Sequence, residues 1–323
     1  MNATLQRIFQ SILLLICICT ANFFIFRLSP GDPSNAYFGP KTRRENLKIM
    51  RQQRGFDQPW YEQFKVWSTR FVRGDLGYSW SKHRPVNDIL GEAIPATLQL
   101  AFLALVVNLL LGCALGLLSG LYSQQKFGKV LDVASLSLYS MPTFWLALIL
   151  ILVFSLKLHW LPGSQMQSFF APSLDFASRF WDRLRHLILP VTVLGLTGAA
   201  ATSRFVRGRL QEVLRQDYIR LALAKGLTRK SVLLRHAFRN ALLPVVTLLG
   251  VYFPFLLSGA FIVEVIFAWP GMGRITYEAI FAKDYPVLMA VNLIAATMVI
   301  AGNLLSDLLY RFIDPRIQLN ESA

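Results

Sequence analysis

The sequence predicts an all-α polytopic membrane protein with six transmembrane helices. Apolar residues make up 54% of the 323 residues and charged residues only 16%, whereas an average globular domain is about 45–50% apolar and roughly one quarter charged. A chain this apolar does not stay disordered in water. A bilayer core of about 30 Å takes roughly 20 consecutive apolar residues as a helix, and six runs come close to that length. They cover residues 8–26, 98–122, 130–156, 186–203, 241–268 and 287–310.

The first run fits either an uncleaved span or a cleaved signal peptide. Arg7 supplies a basic start in both cases. The apolar stretch is longer than the usual signal-peptide core, and no A-x-A-like cleavage site follows it. Arg27 and a Pro-Gly-Asp-Pro turn follow instead. We therefore interpret this run as an uncleaved first span.

Small residues and prolines in the next spans predict how these helices pack. Gly112, Gly116 and Gly120 recur at every fourth position of the second span, which predicts the close approach of a neighbouring helix. Pro142 in the third span and Pro190 in the fourth fit either a kink used in gating or a tolerated bend. The fourth run is the weakest of the six.

Lysine and arginine counts predict the orientation of the spans. With six spans, both termini share a side with the loops between spans 2 and 3 and between spans 4 and 5. That side carries fifteen Lys and Arg residues, against six in the short loops of the other side, so it is expected in the cytoplasm. The long first loop is basic too, but loops longer than about 60 residues cross a membrane largely regardless of charge.

Two segments outside the spans are long enough to fold. The first is the extracytoplasmic loop 28–95, which is predicted to form a small subdomain. The second is the basic cytoplasmic loop 204–243. The aromatic anchors expected in the first segment are Trp60, Tyr61, Phe64, Trp67 and Trp80.

The basic cytoplasmic loop predicts two short helices joined by a glycine turn. Asp217 is placed to cap a first helix over Tyr218–Lys225. Gly226 follows at a point where a helix end favours positive φ. Thr228 is placed to cap a second helix from Arg229 to about Ala241. The mixture of Leu and Ala with Arg and Lys favours a surface that docks on another protein.

The net charge of +15 fits either a nucleic-acid partner or the anionic face of a membrane. The positive-inside rule alone accounts for the arginines, but it does not account for two capped helices in a loop far longer than antiparallel spans require. The sequence has no recognised nucleic-acid-binding module, so no nucleic-acid partner is expected. The three cysteines all lie in apolar runs, which argues against a disulfide framework and against a metal site.

The segments YIRLALAKGLT (218–228) and RHAFRNALLP (235–244) resemble the EAA loop of ABC-importer permeases. The similarity is to the dipeptide, oligopeptide and nickel branch, in its first-permease (B-type) subunit. Residues 220–222 are Arg-Leu-Ala where the general motif has a glutamate and two alanines, and Leu-Pro comes late, at 243–244; both departures are familiar in the peptide branch. The other similar segments are Phe26–Pro33, Asp57–Pro59, Gly74–Ser79, Pro95–Leu98, Glu264–Gly273, Asp284–Pro286 and Asp314–Arg316.

The resemblance implies the type I ABC importer permease fold. The expected parts are the N-terminus with the first span (1–27), the loop subdomain (28–95) and the permease transmembrane domain (96–323) with its coupling loop 204–243. The coupling loop is expected to sit on a separate ATPase subunit. The residues expected at that contact are Arg220, Ala222, Ala224, Lys225, Gly226, Leu227, Arg235, His236 and Asn240.

The resemblance also implies partners, location and substrate. The expected partners are a homologous second permease, one or two ABC ATPase subunits and an extracytoplasmic solute-binding protein, in a bacterial cytoplasmic (inner) membrane. The sequence has no G-x-x-x-x-G-K-[ST] phosphate loop, so ATP and Mg are expected on the ATPase and no cofactor on this chain. Di- and oligopeptides are the favoured substrates, with glutathione or a nickel complex as alternatives.

Two acidic residues within predicted spans, Glu264 and Asp307, are candidates for the substrate pathway. Charges in a bilayer are costly and indicate a pathway or a buried pair. Both residues also lie near span ends and fit interfacial water, and Asp307 fits an i, i+4 pair with Arg311. Trp269 and Tyr285 are expected in the aromatic belt at the membrane interface.

A membrane-embedded enzyme and a passive anchor or receptor are the alternatives from other functional classes. The four histidines are scattered, and neither H-E-x-x-H nor a serine nucleophile elbow occurs, so no catalytic residue is expected. Hydropathy alone also fits an anchor. An ATPase and a second permease that accompany the chain from native membranes would distinguish an importer from both.

Overall fold

A computed structural model of the chain is mostly helical. It describes residues 3–28, 58–228, 231–238, 240–241 and 260–313, with the side chains at 3–8, 26–28, 234–236 and 305–313 left out. In chain order the α-helices are α1 (Ala3–Leu28), α2 (Trp60–Val72), α3 (Val86–Leu121), α4 (Lys126–Ser140), α5 (Thr143–Leu150), α6 (Phe176–Leu214), α7 (Asp217–Ala224), α8 (Met272–Ala282) and α9 (Tyr285–Ile313). Short π-helical segments follow α5 at Ile151–Lys157 and α7 at Val232–Ala237.

Among the described residues, three helices are long and apolar enough to cross a bilayer, or four if the bent pair at 126–157 is one span. The three are α3, α6 and the stretch of α9 up to Leu304. The helix α1 contains a shorter apolar stretch, Phe9–Ile25. The predicted fifth span, 241–268, lies largely outside the described residues. The prediction of six spans is therefore neither met nor contradicted by these helices.

The third predicted span is not one continuous helix. The helices α4 and α5, the latter extended to Lys157, meet at an angle of 103°. Met141 between them is extended, with φ −81° and ψ 127°, a conformation that a following proline favours over the helical one. Pro142 then starts α5 as its N-cap. The bend therefore lies at Pro142, where the sequence predicted a kink or a tolerated bend in the third span.

The described residues group into two compact units. The first unit combines the N-terminal part of the chain up to Ala96 with Pro270–Ala301. The second unit combines Thr97–Trp269 with the residues from Gly302 onward.

The core of the first unit joins the start of α3 to α8 and the start of α9. Val86, Ile89, Leu90 and Ala93 follow the i, i+3, i+4, i+7 spacing of one helix face, and all four are buried. Their partners in this core include Trp80, Met272, Ile275, Ala279, Tyr285, Val287 and Leu288. The helix α3 therefore begins well before residue 98, the predicted start of the second span, and Pro95 lies inside it.

The first unit also holds α1 and α2 through aromatic packing. The ring of Phe23 lies 5.2 Å from that of Phe64 and 5.8 Å from that of Trp67. Asn22 donates from Nδ2 to the carbonyl oxygen of Met289 at 3.0 Å. Phe64 and Trp67, two of the predicted anchors of the first loop, thus contact the first apolar helix.

The second unit is built on close packing of α3 against α6. A Cβ added to Gly116 would lie 2.6 Å from the carbonyl oxygen of Ser203, and one added to Gly112 would lie 2.6 Å from Cβ of Thr202. Thr202 also donates from its buried hydroxyl to Oδ1 of Asn108 at 2.8 Å. The prediction of close packing along Gly112, Gly116 and Gly120 is confirmed.

Candidate functional site

The predicted coupling loop begins directly after the long helix α6. Gln216 is the N-cap of α7 and makes no capping side-chain hydrogen bond. Asp217, predicted as the cap, is instead the first helical residue, so that prediction is wrong by one position. Its carboxylate lies in the first turn, where negative charge favours a helix. An oxygen of the Asp217 carboxylate lies 3.7 Å from a guanidinium nitrogen of Arg220. Exposed ion pairs of this kind contribute only about 0–1 kcal/mol to stability.

The helix α7 ends in a left-handed glycine turn. Gly226 has φ +82°, which confirms the predicted positive φ. Its N–H donates to the carbonyl of Leu223 at 3.0 Å, and the N–H of Leu227 donates to the carbonyl of Ala222 at 3.3 Å. These two bonds form a Schellman motif, which satisfies carbonyls that the helix end would otherwise leave free. A Cβ at Gly226 would meet no atom within 4 Å, so a side chain would fit the space. Glycine is favoured here because of the positive φ and not because of crowding.

Thr228 caps the segment that follows, as predicted. Its Oγ1 accepts from the N–H of Ser231 at 3.3 Å, and its carbonyl accepts from the N–H of Val232 at 3.0 Å. The segment continues as the π-helical turn Val232–Ala237. Of the predicted second helix, residues 229, 230 and 239 lie outside the described residues.

The two segments of the coupling loop are fastened to each other and to α6. Asn240 donates from Nδ2 to the hydroxyl oxygen of Tyr218 at 3.0 Å, which bridges the second segment to the first. A shared apolar core lies beneath, and its buried members are Leu210, Val213, Ile219, Ala222, Val232, Ala237 and Ala241. The loop is thus held as one piece with the end of α6.

The face of α7 opposite this core is exposed and mixes apolar with basic residues. Leu221 is 56% exposed, and Leu223 and Leu227 are also exposed. Arg220 and Lys225 lie among them and are exposed as well. We call Tyr218, Arg220, Leu221, Leu223, Ala224, Lys225, Gly226 and Leu227 the coupling surface. Exposed leucines beside cations are typical of a surface that a protein partner covers.

The structure brings together most of the predicted coupling residues that it describes. Arg220, Ala224, Lys225, Gly226 and Leu227 all belong to the coupling surface. Ala222 faces the core instead, and Asn240 is half-buried as a bridge. The side chains of Arg235 and His236 lie outside the described residues. The exposed residues that sequence analysis missed are Tyr218, Leu221 and Leu223, which the helical spacing from Ile219 and Ala222 could have identified.

The first candidate pathway residue, Glu264, is fully buried in the second unit. Thr97, on α3, donates from Oγ1 to Oε1 of Glu264 at 2.7 Å. The helical residues 260–266 end just after it, and the N–H of Trp269 closes the turn on the carbonyl oxygen of Glu264 at 2.8 Å. Glu264 thus joins α3 to this helix end. The second candidate, Asp307, lies on α9, and its side chain is outside the described residues.

Two aromatic residues expected in an interface belt are buried instead. Trp269 is fully buried in the second unit, and Tyr285 is 9% exposed in the first. The ring of Tyr285 meets that of Trp80 edge to face, with centroids 5.6 Å apart. Their burial means that both contribute to packing within the chain, which corrects the prediction.

A buried carboxylate that was not among the predicted site residues lies in the first unit. Asp284 is fully buried and accepts from the N–H of Ser81 at 2.9 Å and from its hydroxyl at 2.7 Å. The hydroxyl of Ser79 donates to the same oxygen at 2.5 Å. These bonds hold the turn before α3 on the start of α9. Nothing local to either segment signals this pairing.

Two family models together match most of the chain. The family described as binding-protein-dependent transport system inner membrane component matches residues 112–319, and the N-terminal component of the same kind of system matches residues 1–101. The oligopeptide transport system permease protein AppB of Bacillus subtilis is 36% identical over 315 residues, which are 97% of this chain and 98% of AppB. The glutathione transport system permease protein GsiC of Escherichia coli K12 is 35% identical, over 98% of this chain and 99% of GsiC.

A solved structure has a similar fold. The match is to an inward-facing conformation of the MetNI methionine ABC transporter, with a TM-score of 0.57 and 15% sequence identity. It covers 70% of this chain and 96% of the matched chain. The predicted type I importer permease fold is thus supported by the backbone as well as by the sequence motifs.

Proposed function

Because this chain belongs to the family of binding-protein-dependent transport system inner membrane components, we propose that it is the permease subunit of an ATP-driven importer of di- or oligopeptides. The observation that carries the proposal is the coupling surface: a short helix and a capped glycine turn, buried on one side and exposing leucines and cations on the other. A similar relative named as an oligopeptide permease supports the substrate class.

The coupling surface is the contact through which a separate ATPase subunit transmits its conformational change to this chain. The sequence lacks a Walker phosphate loop, so ATP and Mg bind the ATPase and not this permease. The core beneath the surface includes Leu210 and Val213 of α6, so movement of the turn is transmitted to a helix long enough to span the bilayer. When the ATPase moves the glycine turn and α6 between two positions, the substrate route opens alternately to the two sides of the membrane.

The proposal also covers the membrane topology of the chain and the subunits that assemble with it. The chain has six spans with both termini in the cytoplasm, a small extracytoplasmic subdomain over 28–95, and a homologous second permease beside it. One or two ABC ATPase subunits lie on the cytoplasmic side, and a solute-binding protein delivers substrate on the other. The positive-inside count and the family descriptions support this arrangement.

Two features of the proposal concern the route and identity of the substrate. Glu264 and Asp307 remain proposed pathway residues; the burial of Glu264 means that a change of conformation must expose it. Glutathione is the second candidate substrate, because a glutathione permease, at 35% identity, is nearly as similar to this chain as the oligopeptide permease, at 36%. A nickel complex is the remaining alternative.

Assembly with the ATPase tests the coupling surface directly. The double variant Leu221→Ser/Leu227→Ser removes two exposed apolar side chains without touching the core beneath. We expect the ATPase to be lost from the complex purified through an affinity tag on this chain. The matched control Val72→Ser removes another exposed apolar side chain at the end of α2 and should retain it. Retention of the ATPase in both variants would contradict the assignment.

Uptake measurements test the substrate. Cells that lack this chain should lose import of labelled di- or oligopeptides and regain it when the gene is restored. Labelled glutathione and nickel are measured in the same cells. If only glutathione or only nickel uptake follows the gene, the peptide assignment is wrong while the importer assignment stands.

A further inference from the structure

We propose that a cleft between α4 and α6 binds the phosphodiester headgroup of an anionic phospholipid. The cleft lies in the second unit and has a volume of about 270 Å³. None of its lining residues belongs to the coupling surface or to the candidate pathway, so the proposal is independent of which substrate the chain transports. The lining residues are Asp132, Leu136, Arg204, Arg207, Gly208 and Gln211.

The polar side chains of the cleft match the charge and hydrogen bonding of a phosphodiester. Arg204 lies with its guanidinium carbon 5.1 Å from the ring centroid of Tyr139, which holds it above α4. Arg207 is paired with Asp132 across the cleft, and Gln211 lines it one turn further along α6. Two guanidinium groups and one carboxylate leave one net positive charge, which balances the single negative charge of a phosphodiester.

Small residues keep the cleft open while the two helices stay close. The hydroxyl oxygens of Ser135 and Ser203 lie 3.5 Å apart at a buried contact between α4 and α6. A Cβ added to Gly208 would meet no atom within 4 Å. Glycine at this position therefore leaves space where a larger side chain would fill the cleft.

The apolar surroundings favour a lipid over a free anion. Along α4, Val133, Leu136 and Tyr139 form an apolar stripe on one side of the helix, and all three are exposed. Acyl chains attached to the headgroup would cover this stripe, whereas a free phosphate would leave it bare. The cleft also lies at the predicted cytoplasmic end of these helices, and basic pockets between transmembrane helices on that side bind anionic headgroups.

Lipid titration of the intact complex tests the site. The transporter is purified from its native membrane with its accompanying subunits, placed in phosphatidylcholine bilayers, and titrated with phosphatidylglycerol, with bound lipid counted by native mass spectrometry. We expect Arg204→Gln to raise the apparent dissociation constant about fivefold. The matched control Arg209→Gln lies on the same helix, with its guanidinium paired to Glu212 at 2.6 Å outside the cleft, and should bind as the wild type does.

Two further variants separate a lipid site from a purely structural role. Gly208→Leu fills the cleft without changing charge and should weaken phosphatidylglycerol binding. Asp132→Asn removes the carboxylate that pairs with Arg207 and leaves a net charge of +2 on the described lining residues, so it should tighten binding. A structural role for the Asp132–Arg207 pair predicts the opposite sign for Asp132→Asn, because loss of the pair would loosen α4 from α6.

Three outcomes would overturn the proposal. The first is equal phosphatidylglycerol binding by the wild type and Arg204→Gln. The second is weaker binding by Asp132→Asn. The third is displacement of the lipid by soluble glycerol phosphate at an equal concentration, which would make the cleft a site for free phosphate esters. If an acidic segment of a partner protein fills the cleft, the wild type and Arg204→Gln should bind phosphatidylglycerol equally, which is the first of these outcomes.

Discussion

The single residue on which the coupling turn depends is Gly226. Its φ of +82° is a conformation that costs a residue with a Cβ about 1–2 kcal/mol, and a β-branched side chain more. We expect Gly226→Val to break the Schellman motif and to uncouple ATP hydrolysis from transport. The measurement is substrate uptake per ATP hydrolysed in proteoliposomes that contain the whole complex.

The choice of variants at Gly226 separates conformation from bulk. Asn tolerates the left-handed region better than other side chains do, and the space around this Cβ is open. Gly226→Asn should therefore keep most of the coupling that Gly226→Val loses. Normal coupling in Gly226→Val would show that the turn is not a rigid lever.

Another residue-scale prediction concerns the buried bond between Thr97 and Glu264. Glu264→Gln keeps an oxygen that can accept from Thr97 Oγ1, whereas Glu264→Ala removes that acceptor, which costs about 1–3 kcal/mol. We expect the alanine variant, but not the glutamine variant, to lower the melting temperature of the purified complex. If Glu264→Gln abolishes uptake while stability is unchanged, the charge itself acts in the pathway.

The ion pairs of Glu278 give the first unit a pH dependence. Partial burial raises the pKa of Glu278, but hydrogen bonds and charges from Lys82 and Arg274 outweigh burial and hold the pKa below its ordinary value of 4.5. Lys82 Nζ lies 2.8 Å from one carboxylate oxygen and Arg274 Nε 2.9 Å from the other. A lowered pKa stabilises the fold above the ordinary value, and this stability is lost as the pH falls through the folded pKa.

The test of this dependence is a comparison of melting temperatures. Glu278→Gln should melt slightly below the wild type at pH 7, and the difference should shrink as the pH falls below the ordinary glutamate pKa. The difference is small because the side chains of Lys82 and Glu278 are each more than one third exposed. A difference that grows at low pH would contradict this account.

At the scale of elements, the packing of α3 on α6 depends on its glycines. A leucine at Gly116 would place atoms 2.6 Å from the backbone oxygen of Ser203, so the helices must separate. We expect Gly116→Leu to destabilise the complex by about 1–3 kcal/mol, measured by thermal unfolding in detergent. Gly208→Ala on α6 is the control, since its Cβ would lie in open space. Equal effects of the two variants would argue against close packing at Gly116.

The helices that sequence analysis located best are those whose signal is local. Unbroken apolar runs identified the middle of α3, α6 and α9, because hydropathy reports burial in lipid or protein directly. The same measure missed the first turns of α3, where Asp88 and Glu92 alternate with buried Val86, Leu90 and Ala93 and lower the average hydropathy. The helical periodicity of this stretch, rather than its mean hydropathy, carries the signal.

The features that escaped prediction depend on contacts between distant segments. Asp284 and Ser79 are 205 residues apart, and only their folded positions create the bond between them. The burial of Trp269 and Tyr285 is of the same kind, since either residue type also suits a membrane interface. The coupling turn was predictable because its caps and its glycine act within a few residues of each other.

At the scale of the whole molecule, the predicted topology is open to direct labelling. With Cys17, Cys19 and Cys113 replaced by serine, single cysteines are placed at the exposed Gln124 and Ser164. A membrane-impermeant maleimide should label Ser164→Cys in intact spheroplasts, and Gln124→Cys only after the membrane is opened. Both positions lie in loops on opposite sides of the third predicted span. Labelling with the reverse pattern would invert the orientation.

The core of the first unit is formed by two segments that lie far apart in the sequence, so it cannot form until the second segment has been synthesised. Its core pairs Val86 and Ala93 with Met272 and Val291, so one half emerges from the ribosome about 180 residues before the other. At ordinary rates of synthesis this is a delay of roughly 10–40 s. During that time Trp80 and the start of α3 lack the partners that later bury them. Nascent chains halted before Met272 should therefore be degraded faster than those halted after Val291.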